Sequence, residues 1–442
     1  MKKHYRIIDA LYILPLSFCL CAYFLMMDNL YWAIPVAVFF LLSNIFPGVL
    51  RDDVKNDRLL LAYRGCVILS IAAATLPIVA VYYTFALYSL PRESYMSAVY
   101  ALIYVCVLYT LTVVNGTVSM FVSSGQLGVK WRVLVIIFAL VPVVNLFVIA
   151  KMVTRVLREV DFEIMRRERN LKRSDDKVCA TKYPIVLVHG IFMRDYAMFN
   201  YWGRIPEELE TNGARIYYGE HQSALPVKES AKEIADRIRR IVYKTGSEKV
   251  NIIAHSKGGI DCRYAIEHYG IGDLVASLTT VNSPHKGVLF AEKILRAAPR
   301  WFKRMVSTTY NKSMMFLGDK NPDFMAAVID LTTTECIKRD KELGIPEGIF
   351  CQSIGSIQNR SRSGRFPMNL TEPYVKKYDG NNDGLVGKDS FPFGSRFILL
   401  EMDGPRGITH TDMTDLHRED VKGFDVREFY VGLVSDLQSR GF

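Results

Sequence analysis

Hydrophobic residues in the first third of the chain form runs long enough to cross a lipid bilayer. Between Arg64 and Lys151 only four residues are charged, and apolar segments of about 20 residues with so few charges are typical of transmembrane helices. The pattern predicts five spans: Ala10–Met27, Leu30–Phe46, Cys66–Leu90, Met96–Ser123 and Val133–Ala150. We therefore expect residues 1–155 to form a multi-span, all-α transmembrane region.

From Tyr183 onward the pattern changes to short apolar runs that alternate with amphipathic stretches. The apolar runs predict six strands: Ile185–Val188, Arg215–Tyr218, Val250–Ala254, Leu278–Val281, Ile349–Ile354 and Phe397–Met402. Lys228–Tyr243 has apolar residues at helical spacing. Such alternation predicts an α/β domain over residues 183–442, with a mostly parallel sheet and helices on both faces. The charged residues 156–182 between the two regions predict a connector that begins as a solvated juxtamembrane helix.

Basic residues are concentrated beside the predicted spans. The 442-residue chain has a net charge of +10, and its lysines and arginines cluster before the first span, after the second and after the fifth. Anionic lipid headgroups explain such clusters. Because no base-reading module accompanies them, we expect membrane lipids and not nucleic acid as partners. The oligomeric state is left open.

The same charges bear on membrane topology. Basic loops before the first span, after the second and after the fourth predict a cytoplasmic N-terminus. Five crossings would then place the C-terminal domain outside, although a basic segment follows the fifth span. Either the fifth span, which contains Pro142 and Asn145, is bent or re-entrant, or a large domain is exported regardless of charge. We predict a multi-pass cell-membrane protein and favour a cytoplasmic domain.

The first candidate catalytic motif is the sequence AHSKGG, residues 254–259. An apolar run precedes it and a helical pattern follows, so Ser256 lies on a strand-to-helix turn of the nucleophile-elbow type. Ala254 and Gly258, two positions before and after the serine, are small, as so tight a turn requires. The hydroxyl would then lie at a helix N-terminus, where the dipole favours developing negative charge.

A serine nucleophile needs a base and an orienting acid, and in the α/β-hydrolase arrangement the acid and then the histidine follow it in the chain. Of eight histidines, only His410 and His417 lie late in the sequence. We predict His410, in a loop after the last strand, as the base, and we assign His417 to the following helix. Asp383 lies in a turn ahead of an apolar pair and is the predicted acid, with Asp379 as the alternative.

Two backbone N–H groups are needed to bind the oxyanion of an acyl-transfer intermediate. One is expected from Lys257, directly after the nucleophile. The other is expected from Ile191, in the loop after the first strand of the domain, where Gly190 lets the backbone approach the substrate.

Five segments together resemble bacterial triacylglycerol lipases and related esterases. They are KYPIVLVHG at 182–190, the Tyr201-Trp202, Gly213-Ala214 and Tyr217 positions, the elbow at 254–259, VNSPHKG at 281–287 and NDGLV at 382–386. The resemblance covers most of residues 182–415. It implies an α/β-hydrolase fold and an ester hydrolase with Ser256, Asp383 and His410 as triad, and Ile191 and Lys257 as oxyanion donors. The transmembrane region has no counterpart in those secreted lipases.

Calcium is the one cofactor for which the sequence contains candidate ligands. Residues 379–384 match the first half of an EF-hand loop, but its twelfth position is Ser390 instead of a bidentate glutamate. The lipase resemblance implies a calcium ligand two residues after the histidine, which Asp412 fits, yet residues 358–366 lack the partner carboxylate. We expect no cofactor, with Asp379 and Asp412 as the candidate ligands if calcium binds.

Residues 288–330 interrupt the strand–helix pattern and interleave large apolar residues with lysines and arginines. This segment is either a lid whose basic amphipathic surface suits an anionic lipid interface, or a set of ordinary helices packed on the core. The sequence as a whole predicts a membrane-anchored hydrolase of carboxylic esters, acting on lipid or acyl-chain substrates through an acyl-enzyme. Two alternatives stay open: a serine acyltransferase with the same triad, and a non-catalytic membrane receptor or transporter with a degenerate hydrolase domain.

Overall fold

The computed structural model describes residues 53–89, 92–139, 141–191 and 200–442, together with residues 31, 34 and 38. The chain divides into two compact units, Met1–Arg169 and Asn170–Phe442, and the division falls inside the predicted connector, residues 156–182. The first two predicted spans lie outside the described residues, apart from residues 31, 34 and 38 in the second.

The described part of the first unit is helical. Its helices are α1 (Asp57–Ser89), α2 (Arg92–Ser123), α3 (Gly128–Ile137) and α4 (Pro142–Lys172), the last running three residues into the second unit. Two segments, Asp57–Phe85 and Tyr95–Ser123, are long and apolar enough to cross a membrane, by length and composition alone. They contain most of the third and fourth predicted spans.

The fifth predicted span, Val133–Ala150, is divided between two helices, which agrees with the bent or re-entrant alternative. Helix α3 ends at Ile137 and α4 begins at Pro142. Proline lacks the N–H that a helix interior needs, whereas it fits the first helical turn, where that N–H would be unpaired. The chain therefore starts a new helix inside the predicted span.

The juxtamembrane helix, expected to be solvated, is buried in part, because the side chain of Glu159 in α4 is 2% exposed. The Glu159 carboxylate accepts hydrogen bonds from Arg58 Nη1 at 3.0 Å, from Ser124 Oγ at 2.6 Å and from the Gly125 N–H at 3.1 Å. These donors offset the cost of burying the charge. Glu159 thus joins the start of α1, the end of α2 and α4 within the first unit.

The second unit is built on a six-stranded parallel sheet in the order β2-β1-β3-β4-β5-β6. The strands are β1 (Ile185–Val188), β2 (Ile216–Tyr218), β3 (Val250–His255), β4 (Val275–Val281), β5 (Phe350–Ser356) and β6 (Arg396–Leu400). The helices are α5 (Ile205–Thr211), α6 (Val227–Thr245), α7 (Lys257–His268), α8 (Leu289–Ala297), α9 (Arg300–Phe316), α10 (Phe324–Ile329), α11 (Thr333–Glu342), α12 (Met368–Asp379) and α13 (Val426–Ser439). All six predicted strands and the predicted helix over residues 228–243 are confirmed, with β4 beginning three residues earlier than expected.

Both faces of this sheet are covered by helices. Ile185 and Leu187 of β1 pack in a core shared with α13, and Val186 and Val188 pack in a second core shared with α6. Successive strand residues point to opposite faces, so an uninterrupted apolar strand is the pattern of a sheet buried on both sides. The loops after β1, β3 and β4 leave the sheet at its carboxyl edge, where open α/β sheets bind ligands.

Candidate active site

Ser256 lies on the turn between β3 and α7, with φ 56° and ψ −130°. A left-handed φ is rare for a serine and marks a constrained turn. A Cβ added to Gly258 would lie 2.5 Å from the His189 carbonyl oxygen, so this position must be glycine. The Ser256 N–H donates to the Val281 carbonyl at 2.9 Å, which ties the turn to the end of β4. The nucleophile-elbow geometry expected from the sequence is therefore present.

Asp383 and His410 are hydrogen-bonded to each other although they are 27 residues apart in the chain. His410 Nδ1 lies 2.6 Å from Asp383 Oδ2, and the His410 N–H donates to the Asp383 carbonyl at 2.8 Å. The other oxygen, Asp383 Oδ1, accepts from the N–H groups of Leu385 and Val386, both at 2.8 Å. The carboxylate is thus held in one orientation. His417, expected on a helix, lies in a turn instead.

Asn282 is a further part of this arrangement, and its role was not predicted. Its Nδ2 donates to Asp383 Oδ2 at 2.6 Å and to Ser356 Oγ at 2.7 Å. The residue follows β4 with φ 48°, a left-handed conformation that asparagine tolerates better than most residues. The VNSPHKG segment marked this position in the sequence, but only the sheet topology brings it to Asp383.

His255, next to Ser256 in the chain, is the second unpredicted member of the site. Its Nε2 lies 3.1 Å from the His410 carbonyl oxygen, and its Nδ1 lies 2.7 Å from the Tyr201 hydroxyl. Burial lowers the pKa of His255 well below 6.5, so the ring is neutral and has one donor and one acceptor. A carbonyl oxygen can only accept, hence Nε2 carries the proton and Nδ1 accepts from Tyr201. This chain of bonds holds the His410 backbone beside the nucleophile turn.

The backbone N–H groups of Ile191 and Lys257 donate to no other group in the described part of the chain. The Lys257 side chain points into the core, where Nζ lies 2.8 and 2.9 Å from the two oxygens of Asp261 and 2.9 Å from Ser230 Oγ. A Cβ on Gly190 would lie 2.8 Å from Ser256 Cβ, so glycine lets the β1 loop pass next to the nucleophile. Both N–H groups are therefore available to a ligand.

Ser256 and Ile191 line a cavity of about 360 Å³, which we call the apolar cavity. Apart from Ser256, the polar residues of its lining in the described part of the chain are Lys303 and Thr371. Most of the apolar lining comes from the predicted lid segment: Val288, Phe290, Ala291, Ile294, Leu295, Ala298, Phe302, Val306, Phe324, Met325 and Val328. A concave apolar site with a few converging polar groups is typical of small-molecule binding.

Asp379 and Asp412 do not fit a calcium site. Asp379 accepts from the N–H groups of Leu289 and Phe290, at 3.0 and 2.9 Å, and so caps α8. Both oxygens of Asp412 are 2.9 Å from the Arg406 guanidinium, a cation where calcium would have to bind. Among the described residues no group of three or more His, Cys, Asp or Glu side chains could hold a metal ion.

Comparison with known proteins supports an α/β-hydrolase fold. Residues 183–322 match the family model of the α/β hydrolase fold. The chain contains an α/β-hydrolase domain. Over 283 residues it is 26% identical to a triacylglycerol lipase from Pseudarthrobacter phenanthrenivorans, covering 50% of this chain and 86% of that protein. It is 24% identical over 299 residues to a triacylglycerol lipase from Pseudomonas fragi, covering 60% of this chain and 99% of the relative.

A solved structure, Bacillus licheniformis lipase BlEst2 in its mature form, is also similar to part of the chain. The identity is 21%, the match covers 57% of this chain and 92% of the lipase, and the TM-score is 0.43. The two sequence relatives are triacylglycerol lipases, and the match to the Pseudomonas fragi lipase covers nearly all of that relative.

Proposed function

We propose that the protein is a membrane-associated serine hydrolase that cleaves carboxylic esters of lipids or other acyl-chain compounds. The observation that carries the proposal is the position of Ser256, on a nucleophile elbow and in the wall of an apolar cavity. The hydrolase fold and the triacylglycerol lipase relatives support carboxylic ester hydrolysis as the reaction class.

In the proposed reaction, His410 takes the proton of the Ser256 hydroxyl while the serine oxygen attacks the ester carbonyl carbon. Asp383 holds His410 Nδ1–H and stabilises the imidazolium that forms. The N–H groups of Ile191 and Lys257 bind the oxyanion. The ester C–O bond breaks as His410 returns the proton to the leaving alcohol. Water, deprotonated by His410, then attacks the acyl carbon, the bond from that carbon to Ser256 Oγ breaks, and His410 returns the proton to Oγ as the fatty acid leaves.

The proposal is tested by labelling the full-length protein with a fluorophosphonate probe and by hydrolysis of short p-nitrophenyl esters. We expect one labelled serine, with labelling and hydrolysis both lost in Ser256→Ala. Ser283→Ala is a matched control, because Ser283 Oγ lies close to Gly259 of the elbow and, among the described residues, donates to the Val281 carbonyl at 3.5 Å. The proposal would be refuted if Ser256→Ala lost the label but still hydrolysed the esters. It would also be refuted if the wild type neither reacted with the probe nor hydrolysed the esters. Product analysis with an added alcohol separates hydrolysis from acyl transfer.

Membrane attachment is proposed from the two long apolar segments, Asp57–Phe85 and Tyr95–Ser123. Helix α3 ends at Ile137 and α4 begins at Pro142, and we infer that this divided fifth span does not cross the membrane, which leaves four predicted crossings. An even number returns the hydrolase domain to the side of the N-terminus, which the basic loops assign to the cytoplasm. Protease added to intact cells should therefore leave the hydrolase domain uncut, while permeabilised cells should lose it. Cleavage in intact cells would contradict this topology.

A further inference from the structure

A second cavity, of about 510 Å³, lies against the apolar cavity. Leu295, Lys303 and Met325 line both, so the two cavities are neighbours along α8, α9 and α10. The second cavity differs from the first in being lined by charged and hydroxyl side chains, among them those of Arg304 and Ser307. We call it the basic cavity.

The charged groups of the basic cavity are Arg296, Lys303, Arg304 and Glu292, three cations against one carboxylate. Glu292 is already bound, since it accepts from the Thr334 N–H at 3.0 Å and contacts Arg296 Nη2 at 2.5 Å. The Thr334 hydrogen bonds are the main reason that the pKa of Glu292 is lowered, so the carboxylate stays ionised. The cavity therefore keeps a surplus of positive charge.

Arg304 is the cation of the basic cavity that is free to bind a ligand. Lys303 Nζ donates to the Leu295 carbonyl at 3.0 Å, whereas Arg304 has no hydrogen bond or ion pair among the described residues. The hydroxyls of Ser307 and Thr308 line the same cavity. A planar guanidinium beside hydroxyl donors matches the oxygens of a phosphate group.

We propose that the basic cavity binds the phosphate of an anionic phospholipid whose scissile acyl chain occupies the apolar cavity. This inference rests on the proposed function and names its substrate class: a phosphate-bearing lipid ester, preferred over a neutral acylglycerol. The bond that breaks is still the carboxylic ester C–O bond, with the acyl carbon transferred to Ser256 Oγ and the proton passed to the leaving lysophospholipid alcohol. The phosphate is held and not cleaved.

The test uses the full-length protein in neutral detergent micelles, with dioleoyl phosphatidylglycerol and dioleoylglycerol as substrates of equal acyl chain. We expect kcat/KM for phosphatidylglycerol to exceed that for dioleoylglycerol at least about tenfold, a preference worth about 1.4 kcal/mol. Arg304→Glu should lower this ratio at least about tenfold, since it reverses the free charge. Lys312→Glu is the matched control: it makes the same charge change on the exposed side of α9, outside both cavities, and should leave the ratio unchanged.

Three results would overturn the inference. Equal rates on the two lipids would exclude a phosphate subsite. Equal losses in Arg304→Glu and Lys312→Glu would show that the charge acts through the micelle surface and not through the cavity. Competitive inhibition by inorganic phosphate, without any lipid preference, would assign the cavity to a free anion. A wild type that fails to hydrolyse even p-nitrophenyl butyrate would instead refute the proposed function.

Discussion

Replacing Lys257 by methionine should destabilise the hydrolase domain through the carboxylate that it leaves behind. Lys257 and Asp261 are each 1% exposed, and their charged atoms are 2.8 Å apart. Methionine keeps most of the side-chain length, so the loss of packing is small. Removing one partner of a buried ion pair costs about 3–5 kcal/mol, because the remaining carboxylate has lost its counter-charge. For a domain of this size, that loss corresponds to a drop of roughly 6–20 °C in Tm.

The loss should also depend on pH in a defined direction. Burial raises the pKa of Asp261 to about 7, against the opposing effect of the Lys257 ammonium. A raised folded-state pKa means that stability falls as pH rises from the unfolded pKa, about 3.9, to the folded pKa. Without the Lys257 ammonium, the folded-state pKa of Asp261 rises further. The Lys257→Met variant therefore continues to lose stability as pH rises above about 7, whereas the wild type does not. The Tm difference should therefore widen between about pH 6 and about pH 8.5.

Tryptophan-fluorescence melts of the full-length protein in a mild detergent measure this effect. The double variant Lys257→Met/Asp261→Leu removes both charges and should recover most of the lost Tm. Arg239→Met is the control, because Arg239 and its partner Asp236 form an i,i+3 contact of 2.9 Å in which the two side chains are 46% and 49% exposed; it should change stability by less than about 1 kcal/mol. A single variant within about 1 kcal/mol of wild type, or a double variant no more stable than the single, would refute the reasoning.

Three further outcomes follow from the site. Asp383→Asn should lower kcat for p-nitrophenyl butyrate by about 10³–10⁴-fold, because an asparagine amide no longer holds His410 in the reactive tautomer; a loss below about tenfold would show that Asp383 is not the orienting acid. Gly190→Ala should slow fluorophosphonate labelling and ester hydrolysis in parallel, since its Cβ would lie 2.8 Å from Ser256 Cβ, and unchanged labelling would contradict the close approach. Chelation with EDTA should leave both activity and Tm unchanged, because the Asp412 carboxylate already forms an ion pair with Arg406. A drop in Tm that added calcium reverses would disprove this.

The local features of the hydrolase domain could be predicted because their causes are local. A strand buried on both faces is mostly apolar, which located β1 and most of β3. A strand-to-helix turn around a serine must be flanked by small residues, which located Ser256. Chain order then reduced the histidines to His410 and His417. The lid segment was recognised as an interruption of the pattern, but the sequence did not separate a lid from ordinary packing.

The contacts that the sequence could not predict join distant residues. Asn282 reaches Asp383 across 101 positions, and His255 reaches the His410 carbonyl across 155. Neither separation leaves a periodic signal, because hydrogen bonds of this kind depend on which strand ends lie side by side. The same holds for Glu159, which sequence placed in solvent because its neighbours are charged, while packing in the first unit surrounds it with donors.

Sequence alone thus established the α/β character of residues 183–442, the elbow at Ser256 and the long apolar segments before it, since hydrophobic burial and turn geometry act on neighbouring residues. Tertiary structure decided which carboxylate pairs with His410, what holds that pair in place, and that an apolar and a basic cavity adjoin near the serine. Those properties depend on distances between side chains from separate strands and helices, and such distances exist only once the sheet has formed.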